Sequence, residues 1–299
     1  MIKLDIAHKK FIDHLKSKKR ASATILAYGK DIEQLVEFLR ELKKAHVQDV
    51  TAEDINAFLA KFSKTGYTPK SLSRKLNSTK TFFRFLKVSE FITDDPANLV
   101  AHPKYVTKPP RTLSPLEYRA LRDACRDDTR VAAIVEILLQ TGVRISELAN
   151  LRMEDVRLSE SNLEGQLYIR PQEGHSARTV PLNKAAESAL RRYLLERPQI
   201  KPRGRQKPAE QHIFITKTGN PLLIRNIRTA IDRYFKKAGI KDAKVNDLRH
   251  TWVTHHLSSG ASLVLISKLA GHKRLSTTEK YLSLIPNPKS EEKAKLEAL

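Results

Sequence analysis

The sequence predicts a mainly α fold in two parts, a helical N-terminal domain and a larger α-rich domain that holds one small antiparallel sheet. Three observations predict it. Apolar residues recur at helical spacing over most of the 299 residues. Prolines at 96, 103, 109 and 110 interrupt that spacing and remove backbone donors, dividing the chain. Only two short runs, on either side of Gly174, alternate as strands do.

Charge bounds the partner. The chain carries 55 Lys and Arg against 33 Asp and Glu, a formal net charge of +22. Such an excess repels itself unless a polyanion is near, which favours nucleic acid over an anionic membrane surface; plain non-specific stickiness is the bland alternative. No apolar run approaches the roughly 20 residues that span a bilayer. The start, Met1-Ile2-Lys3-Leu4-Asp5, lacks the apolar core of a signal peptide, so a cytoplasmic location is expected. One cysteine, Cys125, excludes an intramolecular disulfide and a thiolate zinc finger, and reads as a packed core thiol. The ten histidines show neither an HExxH pair nor Cys/His spacing, so no metal and no cofactor is expected.

In the N-terminal domain, residues 1–100, Phe11 and Leu15 mark a first helix, and Ile25, Tyr28, Ile32, Leu35 and Leu39 a second. Thr51-Ala52-Glu53-Asp54 reads as a capping box opening a third, whose buried face is Ile55, Phe58, Leu59 and Phe62. After Gly66 and Pro69 a fourth begins near Ser71, with Leu72, Leu76 and Phe83 on one side. Lys70, Arg74, Lys75, Lys80 and Arg84 stand on the other. That basic face is either merely solvated or tracks phosphates in a DNA groove. The linker, residues 101–112, is semi-extended by its prolines, so two domains joined by it can close around a rod-shaped ligand, or it is an ordinary connection.

The second domain, residues 113–287, opens with Ser114 as N-cap and Pro115 in the first turn. Val131 to Gln140 is a buried helix ending at Gly142. The next helix begins at Arg144 and places Glu147 on the same face, where the carboxylate either holds the guanidinium or forms a plain surface ion pair. Gln166 to Arg170 and Arg178 to Leu182 are the two strands. A helix runs from Ala185 to Arg197, Lys201 to Lys207 is a basic solvated loop, Ile213-Phe214-Ile215 is a candidate extra strand, and Arg225 to Ala238 is a cationic helix.

The last stretch concentrates phosphate-handling side chains that core packing does not require. Asn246 is the expected N-cap of a helix bearing Leu248, Arg249, His250 and Trp252. Ser262 starts another, stopped by Gly271, and Ser276-Thr277-Thr278-Glu279 reads as a capping box that projects Tyr281 from a short helix. His250, His255 and His256 read as surface or packing histidines. Spacing alone does not show that these groups converge.

Four motifs then stand in the order of one family: Arg144 within Thr-Gly-Val-Arg-Ile-Ser-Glu-Leu, Arg249 within Asp-Leu-Arg-His-Thr, His272 within Leu-Ala-Gly-His, and Tyr281 within Thr-Thr-Glu-Lys-Tyr. On them the chain resembles the tyrosine recombinases, or integrases, and in length and layout the compact Xer type. The resemblance implies a SAM-like core-binding domain followed by a DNA breaking-rejoining catalytic domain. It also implies site-specific recombination through a 3′-phosphotyrosyl link and a Holliday junction, without metal or ATP. Tyr281 is then the nucleophile, Arg144, Arg249 and His272 bind the scissile phosphate, and Glu147 orients its neighbours. The partners implied are double-stranded DNA with paired inverted sites, further copies of the chain up to a tetramer, and a second recombinase or accessory protein. A tail at 288–299 would dock on a neighbouring subunit.

Two positions depart from the family. Asn246 stands where the family has histidine; it donates or accepts a hydrogen bond but cannot take a proton from tyrosine. Glu173 occupies the place of the strand-turn lysine that protonates the leaving oxygen, and no lysine lies between Val156 and Leu182. A carboxylate beside a phosphate is repelled, so Glu173 is expected to point away or be protonated. His175, or a lysine delivered from elsewhere, is then the substitute acid. Two other readings fit parts of the pattern: a non-catalytic DNA-binding regulator, with Leu263 to Leu282 as a helix-turn-helix, and a type IB topoisomerase-like enzyme.

Overall fold

The computed structural model describes residues 1–106, 109–160, 163–172, 174–197 and 212–285. Glu173, the basic loop at 201–207 and the tail at 288–299 lie outside these described residues. The chain folds as two compact units, Met1–Thr107 and Lys108–Leu299. Among the described residues, no helix is long and apolar enough to cross a membrane.

The first unit is four helices, α1 (Leu4–Ser17), α2 (Ser22–Glu41), α3 (Ala52–Lys64) and α4 (Pro69–Val88). Thr51 caps α3 as its sequence predicts, accepting from the Asp54 amide while Asp54 accepts from the Thr51 amide at 2.8 Å. The core joins Phe11, Ile32, Leu35, Leu39, Ile55, Phe58, Leu76, Phe82 and Leu86.

One assignment on α4 is corrected. Lys75 does not stand on the solvated basic face: it is 1% exposed. The buried stripe of α4 runs through Leu72, Lys75, Leu76, Thr79, Phe82, Phe83 and Leu86, and Lys75 falls within it at helical spacing. Its ammonium donates to Asp31 at 3.0 Å and to Gln34, and lies 4.5 Å from the centre of the Phe62 ring. Asp31 also accepts from Arg74 and from the Ser78 hydroxyl, so the buried charges are fully paired. Lys70, Arg74 and Arg84 are exposed and Lys80 is half-buried.

In the second unit, α5 (Pro115–Cys125) opens with the Ser114–Glu117 capping box. Helix α6 (Thr129–Thr141) is buried on nearly every side, because its apolar run from Val131 to Leu139 leaves no polar stripe. The short α7 (Ile145–Ala149) follows. Strands β1 (Val156–Arg157), β2 (Gln166–Ile169) and β3 (Arg178–Pro181) form one antiparallel sheet in that order, with Leu167 opposite Val180 and Ile169 opposite Arg178. Leu167 and Ile169 face inward and Tyr168 outward, the period of two that marks a half-buried strand.

Helices α8 (Lys184–Glu196), α9 (Ile224–Lys237), α10 (Val245–Ser258), α11 (Leu263–Ala270) and α12 (Ser276–Glu279) complete the unit. Ile213-Phe214-Ile215 is buried but is not a strand. The Tyr193 hydroxyl donates to the Ile213 carbonyl at 3.1 Å and accepts from the Ile215 amide at 3.3 Å, taking bonds that a neighbouring strand would make.

Two caps also differ from expectation. Asn246 lies within the first turn of α10, and Asp247 accepts from the Lys244 amide at 2.8 Å instead. Ser276 is already helical, because the chain enters α12 from Leu275 in helical conformation, and the Thr278 hydroxyl is committed to a different partner.

Candidate active site

Two glycines fix the frame. Gly142 ends α6 in the left-handed region, at φ 61°, and a side-chain carbon there would lie 2.2 Å from the Trp252 ring. Gly271 ends α11 at φ 68°, where such a carbon would meet the Arg178 guanidinium at 2.7 Å and Arg144 at 3.1 Å. Each turn therefore lets a bulky group approach the backbone, and each offers a carbonyl to an arginine.

Arg144, entering α7, donates to the Gly271 carbonyl at 2.6 Å and to Glu147 at 2.8 Å. Arg249, on α10, donates to the Gly142 carbonyl and to the Ala270 carbonyl, the latter at 2.7 Å. Arg144 is thus held by the end of α11 and by Glu147, and Arg249 by the ends of α6 and α11, while each terminal nitrogen keeps a second N–H for another acceptor. The Glu147 carboxylate is buried, so it is no surface ion pair. It takes Arg144 on one side and, on the other, both terminal nitrogens of Arg178 at 2.8 and 2.7 Å.

Arg178 is the residue that sequence reasoning missed. It projects from β3 opposite Ile169, and its Nε donates to the Leu269 carbonyl at 2.6 Å, tying the sheet to α11. Its signal was an arginine in the apolar-alternating strand Arg178-Thr179-Val180-Pro181, a charge that a half-buried strand accepts only when paired.

Electrostatics follow from this burial. Burial raises the Glu147 carboxyl, but hydrogen bonds from Arg178 and the Arg144 amide overcome it and bring the pKa down to about 2. Burial, then the nearby Arg144, lowers Arg249 to about 10, still charged at neutral pH. His272 is lowered to about 4 by burial and by Arg249, Arg144 and Arg178, so its imidazole is neutral. Among the described residues three guanidiniums face one carboxylate, which leaves a local excess of positive charge.

Tyr281 closes the site. Its ring lies parallel to that of His272, with centroids 6.3 Å apart and planes at 10°, and edge-on to His250 at 5.7 Å. The His272 Nδ1 shares a 2.7 Å hydrogen bond with the Thr278 hydroxyl, which fixes the ring and leaves Nε2 for another partner. Tyr281 is buried with Trp252, Val253, Leu257, Ile266 and Ala270. Burial raises the phenol, while Arg249 and Arg144 act to lower it.

His175, at the β2–β3 turn, is drawn into the same group. Burial and the charges of Arg144 and Lys273 hold its imidazole below the usual range, against the opposing pull of Glu147 and of the Gly271 backbone. Asn246 is exposed on the first turn of α10, one turn before Arg249. Lys70, Arg74, Lys80 and Arg84 belong to the other unit. Among the described residues, no group of three or more His, Cys, Asp or Glu is placed to hold a metal ion.

The model of the phage integrase family matches residues 111–287, and that of the phage integrase N-terminal SAM-like domain matches residues 9–90. Tyrosine recombinase XerC of Oceanobacillus iheyensis is 31% identical over 293 residues, covering 94% of this chain and 92% of the relative. A lambda integrase dimer bound to a COC′ core site superposes with a TM-score of 0.75 at 17% identity, over 100% of each chain. A lambda integrase tetramer bound to a Holliday junction gives 0.72 at 18%, covering 92% of this chain and 78% of that one.

Proposed function

The chain belongs to the phage integrase family of tyrosine recombinases, and from that premise we propose how its own residues cut and rejoin DNA. It is a site-specific recombinase, and the DNA-bound dimer and tetramer of lambda integrase that it resembles support duplex DNA as its substrate and self-association there. We assign the chemistry to the C-terminal unit and much of the non-specific grip to the N-terminal one, through Lys70, Arg74, Lys80 and Arg84. A cytoplasmic location suits that substrate.

The single observation that carries the mechanism is the convergence of Arg144, Arg249, His272 and Tyr281 from four separate elements onto one positive pocket. A scissile phosphate entering it meets that positive charge. The free N–H groups of Arg144 and Arg249 bind its non-bridging oxygens, in a forked geometry that lysine does not reproduce. The His272 Nε2 donates to a third position on the phosphorus centre. The Tyr281 hydroxyl attacks phosphorus, the bond to the 5′-oxygen breaks, and the strand stays on the enzyme as a 3′-phosphotyrosyl ester. That ester conserves the bond energy, so a second 5′-hydroxyl reverses the step to rejoin the same or another strand. Paired sites on two duplexes, held by a tetramer, convert four such steps into exchange through a Holliday junction.

Glu147 and Arg178 act as positioning residues: neither needs to touch the phosphate, and both hold Arg144 and α11 where it will lie. Asn246, on the first turn of α10, is assigned a hydrogen bond to the DNA backbone beside the site.

The test is covalent capture. Nicked duplexes with a randomised core are incubated with the full chain, and those that survive detergent as protein adducts are sequenced to define its site. On that site the wild-type chain is expected to form adduct. Tyr281→Phe should form none, and Arg249→Lys should lose roughly 100-fold or more in rate, as loss of a donor to transition-state charge does. No adduct with wild type would remove the enzyme reading and leave the DNA-binding regulator.

A further inference from the structure

The reaction needs a proton at the 5′-oxygen as it departs, and the strand turn that faces the pocket has no lysine to give it. The structure brings one from another element. Lys273 directly follows His272, whose ring is pinned to Thr278 and lies parallel to Tyr281. The Lys273 side chain crosses to the β2–β3 turn, where a side-chain carbon placed on Gly174 would sit 2.8 Å from its Nζ. The turn is closed there by a pair of bonds between Gln172 and His175, the His175 amide donating at 2.7 Å. The Lys273 ammonium therefore lies against the turn at Gly174, and its charge acts on the His175 imidazole as that of Arg144 does.

We propose that Lys273 is the leaving-group acid, reaching the turn from the segment between α11 and α12. The proposal rests on the recombinase reading above. As the Tyr281 oxygen bonds to phosphorus and the P–O5′ bond breaks, the departing oxygen takes a proton from the Lys273 ammonium. That leaves a neutral amine and a free 5′-hydroxyl, and the phenol proton passes to water. In the rejoining step the 5′-hydroxyl returns its proton to the amine as Tyr281 leaves. His175 is the rival at the same turn, but burial and the charges of Arg144 and Lys273 disfavour the imidazolium that would have to donate. Lys273 is exposed, so the amine regains its proton from solvent between turnovers, and its replacement leaves the core untouched.

A sulfur in place of the bridging 5′-oxygen tests this, because a thiolate departs without a proton. The nicked duplex defined by covalent capture is made with either atom at the scissile bond, and cleavage is followed with wild type, Lys273→Ala, Lys273→Arg and His175→Ala. Lys273→Ala is expected to lose roughly 100-fold or more on the oxygen substrate, the scale of a missing general acid, and to return to near the wild-type rate on sulfur. Lys273→Arg should behave in the same way. An equal loss on both substrates, or no loss on oxygen, overturns the assignment. So does the sulfur rescue appearing in His175→Ala and not in Lys273→Ala. Wild-type adduct on the oxygen substrate is read separately and tests the recombinase reading itself.

Discussion

His272 shows what a single residue contributes and at what cost. Its neutral imidazole is half-buried near Arg249, Arg144 and Arg178, so the folded chain resists protonation down to about pH 4, while an unfolded histidine takes a proton near 6.5. Between those values the unfolded state binds more protons, so stability falls as pH falls through that window. The loss assignable to His272 is on the order of 2–3 kcal/mol. Thermal unfolding of the DNA-free protein from pH 7 to pH 4.5 should show this decline, with a shallower slope in His272→Gln. His175, His250 and His256 are shifted the same way and leave a residual slope. An unchanged slope in the variant would mean the ring is not buried as described. At this scale the motifs around Arg144, Arg249, His272 and Tyr281 were legible in the sequence. The partners were not: that Glu147 is shared with Arg178, or that Lys273 reaches Gly174, depends on contacts between residues far apart in the chain.

Elements set these contacts through their ends. The C-terminus of α6 turns at Gly142, accepts Arg249 on its carbonyl and receives the Trp252 ring of α10 against its α-carbon. Gly142→Ala meets both a left-handed backbone and an occupied space, which together should destabilise by roughly 3–5 kcal/mol and displace Arg249. Urea unfolding measures the first and cleavage rate the second. A stable, active variant would show that the turn is not held by Trp252. On α4, helical spacing gave the helix and its apolar stripe but sorted Lys75 by charge rather than by position. Lys75→Ala leaves Asp31 with less compensation in the core and should cost about 3 kcal/mol, with little change in DNA affinity of the folded protein. Loss of affinity without loss of stability would return Lys75 to the basic face. The strands flanking Gly174 were legible from alternation. The two-residue β1 was not, since so short a strand carries no period, and Ile213 to Ile215 misled because Tyr193 supplies what a strand neighbour would.

At the scale of the whole molecule the excess of positive charge governs affinity. Each phosphate neutralised contributes roughly −0.9 to the slope of log affinity against log salt. Lys70→Ala and Arg84→Ala should each flatten that slope by about one unit and weaken binding to all sequences alike. Fluorescence anisotropy on the captured site and on an unrelated duplex, across a salt series, measures it; a sequence-dependent loss would make these residues base readers. Composition and charge already pointed to a polyanion, and motif order to the family, because both are properties of the chain read end to end. That three guanidiniums gather on one carboxylate among the described residues depends on how separate segments close on one another, which no linear pattern records.

If the pocket receives a phosphate, Tyr281 takes the strand. The most direct measurement is to digest the detergent-stable adduct formed on the nicked site and locate the nucleotide by mass spectrometry. A single modified peptide is expected, with the DNA joined through its 3′-phosphate to Tyr281. An adduct on any other residue, or through a 5′-phosphate, would contradict it.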